Sequence, residues 1–177
     1  TDRFENGDTG NDYAGLIGGD QASGFDPTDP GYWHGGDIKG LKSRISYIKS
    51  LGFTSIWITP PVKQKYIQGD SAGYHGYWGL DFTTIDPHLG TEADFKEMVA
   101  TAHRSGLKVI IDVVANHTAD VIYFDGLRTR VSPNEVGVKK PDWLNNINNY
   151  HNEGNGSGTT KDFYGLDDIA TEKPEVV

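Results

Sequence analysis

KVIIDVVANHT, residues 108–118, is the stretch on which the reading of this chain turns. Its β-branched residues Val109, Ile110, Ile111, Val113 and Val114 predict a strand with both faces buried, the pattern of a parallel sheet covered by helices. Polar residues interrupt the run at Asp112 and close it at Asn116 and His117. An acid inside an apolar strand is costly unless it has a partner. Either Asp112 ties two strands together, or it serves a site at the carboxyl end of the strand, where α/β barrels keep their chemistry.

Upstream, FTSIWITPPV (53–62) predicts a second buried strand that ends at Pro60-Pro61. Before it, Asp37 caps a helix with Ile38, Leu41, Ile45, Ile48 and Leu51 on one face and Gly52 as its stop. Between the two strands Thr91 opens another helix, with Asp94 completing a capping box, Phe95, Met98, Val99 and Ala102 turned inward, and Gly106 ending it. With TDRF (1–4) read as the tail of an earlier strand, the order of elements predicts a parallel α/β fold. Barrel and open doubly wound sheet both satisfy that order. No strand leads into GxGxxG or GxxxxGK[ST], which speaks against a nucleotide-binding sheet.

The loops carry most of the information. Residues 5–36 are rich in turn formers and too long for an idle connection, and Phe25, Tyr32 and Trp33 argue that this loop is pinned. The oxygen-bearing Asn6, Asp8, Asn11, Asp12 and Asp37 either hold a hard cation, which takes roughly six to eight oxygens, or form ordinary Asx turns; their spacing is not that of an EF-hand. GYHGYWGLDF (73–82) crowds Tyr74, His75, Tyr77 and Trp78 between glycines. Flat aromatic faces beside hydrogen-bonding tips suit a sugar, and the glycines let the backbone bring the rings close to it; the alternative is an apolar cluster beneath a loop. No HxH or HExxH spacing exists, so His117 is better placed as a hydrogen-bond donor to a substrate than as a transition-metal ligand.

Beyond Ala119 the chain turns Asn- and Gly-rich and reads as an irregular insertion after the third strand, with apolar anchors only in 121–127, 143–147 and 163–169. Asp167-Asp168 is either a cation site with Asn116 or the acidic start of a helix before Thr171 and Glu172. Asp26, Asp29, Asp125 and Glu135 read as solvated loop residues. At 177 residues the chain can bury a real core. Its net charge of −9 makes nucleic acid and anionic membranes poor partners. No apolar run reaches the roughly 18 residues of a membrane helix, and no signal peptide is visible. The absence of cysteine excludes disulfides, thiolate metal sites and a cysteine nucleophile. The sole methionine is Met98, so a mature or excised product is expected.

DVVANH (112–117), GYHGYWGLDF (73–82) and GLDDIATEKPEV (165–176) together resemble the signature segments of the α-amylase family of glycoside hydrolases, family thirteen. TDRFENGD (1–8) and GGD (35–37) are similar to the calcium loop of its bacterial α-amylases and cyclodextrin glucanotransferases. The resemblance implies the N-terminal portion of a (β/α)8 TIM barrel over 1–118, an irregular domain B inserted after strand three over 119–169, and a return to the barrel over 170–177. It implies action on α-glucans with retention of configuration. Tyr77 would stack on the sugar, His75, Trp78 and Asp112 would shape its pocket, and His117 would hydrogen-bond a hydroxyl. Asn116 and Asp168 would bind one Ca2+, and Asn6, Asp8, Asn11, Asp12, the Gly35 carbonyl and Asp37 a second. A secreted, extracellular or periplasmic location goes with the family.

Retaining glycosidases need two carboxyl groups about 5 Å apart. The resemblance places these on later strands, so the chain, ending at Glu175-Val176-Val177, is expected to be inactive unless the missing C-terminal part of the same enzyme joins it. At most three of eight barrel strands would leave open edges and bare apolar faces, and stable folding alone is not expected. A transglycosylase of the same family, a non-catalytic barrel scaffold and an unrelated metal-dependent barrel hydrolase are the competing readings.

Overall fold

The computed structural model describes residues 1–176; Val177, the end of the expected return segment, lies outside the described residues. In chain order the elements are α1 (Asp20–Ser23), α2 (Ile38–Ser43), α3 (Ile45–Ser50), β1 (Ser55–Ile58), β2 (Val62–Gln64), β3 (Ile67–Gln68), β4 (Ser71–Ala72), β5 (Gly79–Ile85), α4 (Glu92–Arg104), β6 (Lys108–Ile111), β7 (His117–Thr118), β8 (Ile122–Phe124), β9 (Thr129–Val131) and β10 (Asp167–Asp168).

The parallel prediction holds. β1 and β6 pair in parallel, Ser55 opposite Lys108 and Ile58 opposite Ile111, and the Asp112 N–H donates to the Ile58 carbonyl at 3.0 Å, carrying the ladder one step further. Helix α4 makes the crossover that such a pair requires. Burial on both faces does not hold. Ile56 and Ile58 are buried against the helices, while Trp57 is 73% exposed and Ile110, Ile111 and Val113 are 50%, 43% and 77% exposed. The sheet has two strands among the described residues, and the face carrying the register partners Trp57 and Ile110 is apolar and open, while Ile111, beside buried Ile58, is only partly covered.

Thr91 and Asp94 form the predicted capping box, α4 buries Met98 and Ala102, and Gly106 follows with φ +72°. Asp37 caps α2 by accepting the Gly40 N–H. The single helix expected from 38 to 51 is instead two short ones, broken at Arg44 with φ −100° and ψ 4°. The Ser43 hydroxyl donates back to the Gly40 carbonyl at 2.7 Å, an interaction that competes with a continuing helix. Leu51 consequently ends 56% exposed. TDRF is a turn, not a strand end. Its Asp2 carboxylate accepts the N–H groups of His34 and Gly35 at 2.8 and 3.0 Å, and the Arg3 guanidinium donates to the carbonyls of Pro30 and Tyr32.

The long loop is pinned by an aromatic side chain. Trp33 is 1% exposed, belongs to the main core with Ile38, Leu41, Ile45, Met98 and Leu107, and stacks on the His88 ring at 4.3 Å. A second core, built from Val121, Ile122, Leu144, Tyr150 and Ile169, holds the irregular segment together. Leu127 and Phe163, within the expected anchors, are 90% and 64% exposed. Glu135 is not a free loop acid: it pairs with Lys65 at 2.6 Å and accepts the Tyr123 hydroxyl, tying this segment to the loop after β2. Asp167 and Asp168 form β10, antiparallel to β7, which excludes the helix-start reading.

Candidate functional site

The glycine-punctuated loop and the end of β6 meet. Proline 60 sets the floor: at Gly76, φ +87°, a Cβ would lie 2.5 Å from the Pro60 carbonyl oxygen, so only glycine lets the loop lie this close. The Tyr77 hydroxyl donates to Asp112 Oδ2 at 2.8 Å, which holds the tyrosine pKa above its ordinary value and gives the acid the partner that its strand position demands. Nε2 of His117 donates to the Tyr77 carbonyl at 3.0 Å. His75 Nδ1 accepts the Tyr77 N–H at 3.0 Å, leaving the ring proton on Nε2. Burial lowers the His75 pKa, so this ring is neutral near pH 7.

The rings form a stepped surface. His75 lies nearly parallel to Tyr77, centroids 5.8 Å apart, and meets Trp78 edge-on at 4.7 Å. Tyr77 is 38% exposed, leaving an aromatic face open beside a carboxylate and two imidazoles. All five pocket residues from the sequence, His75, Tyr77, Trp78, Asp112 and His117, are thus brought together. Gln64 is the member that sequence reading missed: its Oε1 accepts the Trp78 N–H at 2.6 Å from beneath the loop.

The oxygen-rich residues at the N-terminal end also converge. The Asp37 carboxylate accepts N–H groups from Gly7, Asp8 and Gly40 and lies within reach of the Asn11 amide. Asn6 donates to Asp12 at 2.8 Å, and a Cβ on Gly35 would touch both of these side chains. Asp8 pairs with Lys39 at 2.5 Å. Two observations fit a hard cation: the Asn11 Oδ1 is buried with no hydrogen-bond partner, and Asp12 is pushed up by burial, with Asp37 and Asp8 adding to the rise. Among the described residues no group of three or more His, Asp or Glu side chains surrounds one metal position, so amide and carbonyl oxygens would have to complete the set.

At the junction of β7 and β10, Asn116 donates to Asp168 Oδ1 at 2.7 Å, and Asp168 Oδ2 contacts His151 Nδ1 at 2.5 Å. Asp167, on the opposite side of β10, does something else. It is 1% exposed, accepts the N–H groups of Val121 and Ile122 and pairs with Lys139 at 2.5 Å. Burial pushes it up to about 7.

The aromatic and carboxylate cluster lies at the carboxyl ends of parallel strands, the end from which α/β proteins, barrels among them, meet their ligands. The family model of the alpha amylase catalytic domain matches residues 1–169, and the chain belongs to that family. It is 40% identical over 92% of its length to the alpha-amylase of Streptomyces lividans, covering 23% of that protein. Against the periplasmic alpha-amylase of Escherichia coli (strain K12) it is 39% identical over 67% of its length and 18% of the relative's. Among solved structures, a cyclomaltodextrin glucanotransferase with a three-domain ABC distribution superposes with TM-score 0.76 at 32% identity, over 99% of this chain and 38% of that one. The chain spans a quarter or less of the length of the curated relatives it matches. Its fold is that of part of these TIM-barrel enzymes.

Proposed function

We propose that residues 1–177 are the substrate-positioning part of a retaining enzyme that cleaves α-1,4-glucosidic bonds in starch-like glucans. One observation carries this reading: Tyr77, fixed by Asp112 and His117, presents an open aromatic face beside hydrogen-bonding groups. The apolar face of a glucosyl ring stacks on the tyrosine, and Asp112, His75 and His117 meet its hydroxyls. Contacts of this kind accelerate cleavage when they strengthen as the ring distorts toward the transition state. The nucleophile and the acid/base come from outside these residues, on the remainder of the same enzyme. Residues 1–118 are barrel, 119–169 domain B and 170–177 the return to the barrel.

Calcium completes this proposal. Asn116 and Asp168 would hold one ion between the barrel and domain B, and Asn6, Asp8, Asn11, Asp12, Gly35 and Asp37 a second. The bound ion would neutralise acids that otherwise repel and lock loops that lack a core. The unpartnered Asn11 oxygen supports the second site. A periplasmic relative supports export from the cytoplasm, and no helix of the described residues is long and apolar enough to cross a membrane.

A transglycosylase acting on the same glucans is the second reading, favoured by the superposition on a cyclomaltodextrin glucanotransferase. Product analysis of the full-length enzyme, of which these residues are a part, on soluble starch and on cyclodextrin separates the two: linear maltooligosaccharides mark hydrolysis, cyclic products transfer. Failure to act on any α-glucan overturns both. Stripping calcium with a chelator should lower the melting temperature, and an unchanged melt removes calcium from the proposal.

A further inference from the structure

We propose that Gln64 is a positioning residue for the sugar pocket, acting through the peptide between Tyr77 and Trp78; this rests on the sugar-pocket reading above. That single peptide is held from both sides. Its carbonyl, on Tyr77, accepts the His117 ring N–H at 3.0 Å. Its N–H, on Trp78, donates to Gln64 Oε1 at 2.6 Å. The plane of this peptide sets where the Tyr77 ring leaves the backbone, and therefore whether its hydroxyl reaches Asp112.

Gln64 can do this because it cannot move. It is 1% exposed, its own N–H donates to Asp86 Oδ2 at 2.8 Å, and its Nε2 donates to the Val62 carbonyl at 2.6 Å, which fixes the amide with its oxygen toward Trp78. Asp86 is fully buried and is held in turn by the N–H and ring nitrogen of His88 at 2.9 Å each, with the His88 ring stacked on Trp33. The loop also packs on the Gln64 stem: a Cβ on Gly73 would lie 2.9 Å from Gln64 Cβ. A rigid buried line thus runs from the core, through Asp86 and Gln64, to the peptide on the C-terminal side of Tyr77.

The test is steady-state kinetics of the full-length enzyme on a maltooligosaccharide of defined length, comparing Gln64→Leu, Gln64→Glu, Tyr77→Ala and the double variant Gln64→Leu/Tyr77→Ala. Gln64→Leu fills the volume but removes the acceptor, and kcat/KM should fall between about tenfold and a hundredfold, the scale of a reactant displaced by about 1 Å. Gln64→Glu keeps an oxygen opposite the Trp78 N–H and, when its buried carboxyl is protonated, the donor to the Val62 carbonyl, so at low pH within the enzyme's working range it should stay nearer the parent than Gln64→Leu does. Because Gln64 acts through Tyr77, the double variant should be no slower than Tyr77→Ala. Losses that multiply in the double variant, or a folded Gln64→Leu with unchanged kcat/KM, overturn the assignment while leaving the sugar pocket standing. Should Gln64→Leu fail to fold, Gln64→Glu decides: a folded Gln64→Glu as slow as Tyr77→Ala at that low pH overturns it. A neutral Tyr77→Ala overturns the pocket and this inference together.

Discussion

Replacing Lys139 by methionine should destabilise the protein far more than removing any surface lysine. The Lys139 and Asp167 side chains are each 1% exposed and meet at 2.5 Å. The ammonium also donates to the Tyr150 hydroxyl at 3.0 Å, which in turn donates to the Leu144 carbonyl at 2.6 Å. Burial lowers the lysine pKa and raises that of the aspartic acid, so each charge depends on the other. Methionine keeps the stem and removes the charge, leaving a buried carboxylate with only two N–H groups of the chain and a long contact from Thr118 to hold it. Breaking one side of a buried pair costs about 3–5 kcal/mol. The exposed pair Lys96–Glu92, with both partners about three-quarters exposed, contributes far less, because water screens the two charges and the long side chains lose freedom in holding them together. Urea unfolding of the full-length enzyme at pH 8 should therefore separate Lys139→Met clearly from Lys96→Met. The variant's deficit should shrink at pH 5, where Asp167 takes up a proton and no longer carries a buried charge. Adding Asp167→Asn to Lys139→Met should recover much of the loss, since no charge is left unpaired. Equal costs for Lys139→Met and Lys96→Met, or a double variant as costly as the two single changes summed, would refute this account of the pair.

Two further outcomes follow from the geometry. Thr91→Ala removes one half of the capping box of α4 and should cost about 1 kcal/mol in the same unfolding assay, with Thr91→Ser retaining most of it. Burial pushes Asp120 up to about 6 from an ordinary 3.8, so the folded protein holds a proton that the unfolded chain has released; this contribution to stability is full below pH 3.8 and is lost as pH rises through about 6. Asp120→Asn should flatten that part of the stability curve, and an unaltered slope between those limits would show that Asp120 titrates normally.

How much of this was legible depends on whether neighbours in sequence were also neighbours in space. The strand type of 108–111 and its parallel pairing with 55–58 could be read from β-branched runs, because strand propensity is local. Burial of both faces could not, since it depends on a layer packed against Trp57, Ile110 and Val113 rather than on those residues. The pocket residues sit inside two short motifs, so their convergence followed once the strand and the loop were placed. Gln64 gave no such signal. A polar residue between Lys63 and Lys65 resembles any loop residue, and only its burial under Trp78 distinguishes it.

Asp167 and Asp168 state the limit most sharply. By residue chemistry alone they are two adjacent acids with no feature to tell them apart, and only the family resemblance singles out Asp168 as the cation ligand. The two-residue period of a strand turns them to opposite faces. One face of β10 carries Asp168 to Asn116 and His151; the other drives Asp167 into the second core, against a lysine 28 positions away. Lys139 is likewise flanked by Lys140, which is exposed and pairs with Asp142 at the surface. Both aspartates are buried, Asp168 at 6% exposed, yet they face different partners. What assigns their roles is the alternation of a two-residue strand set by its pairing with His117–Thr118. The polar end of the stretch 108–118 therefore fixes more than its own position: by taking β10 as its partner, it decides which acid faces the candidate cation site and which holds the inserted segment together.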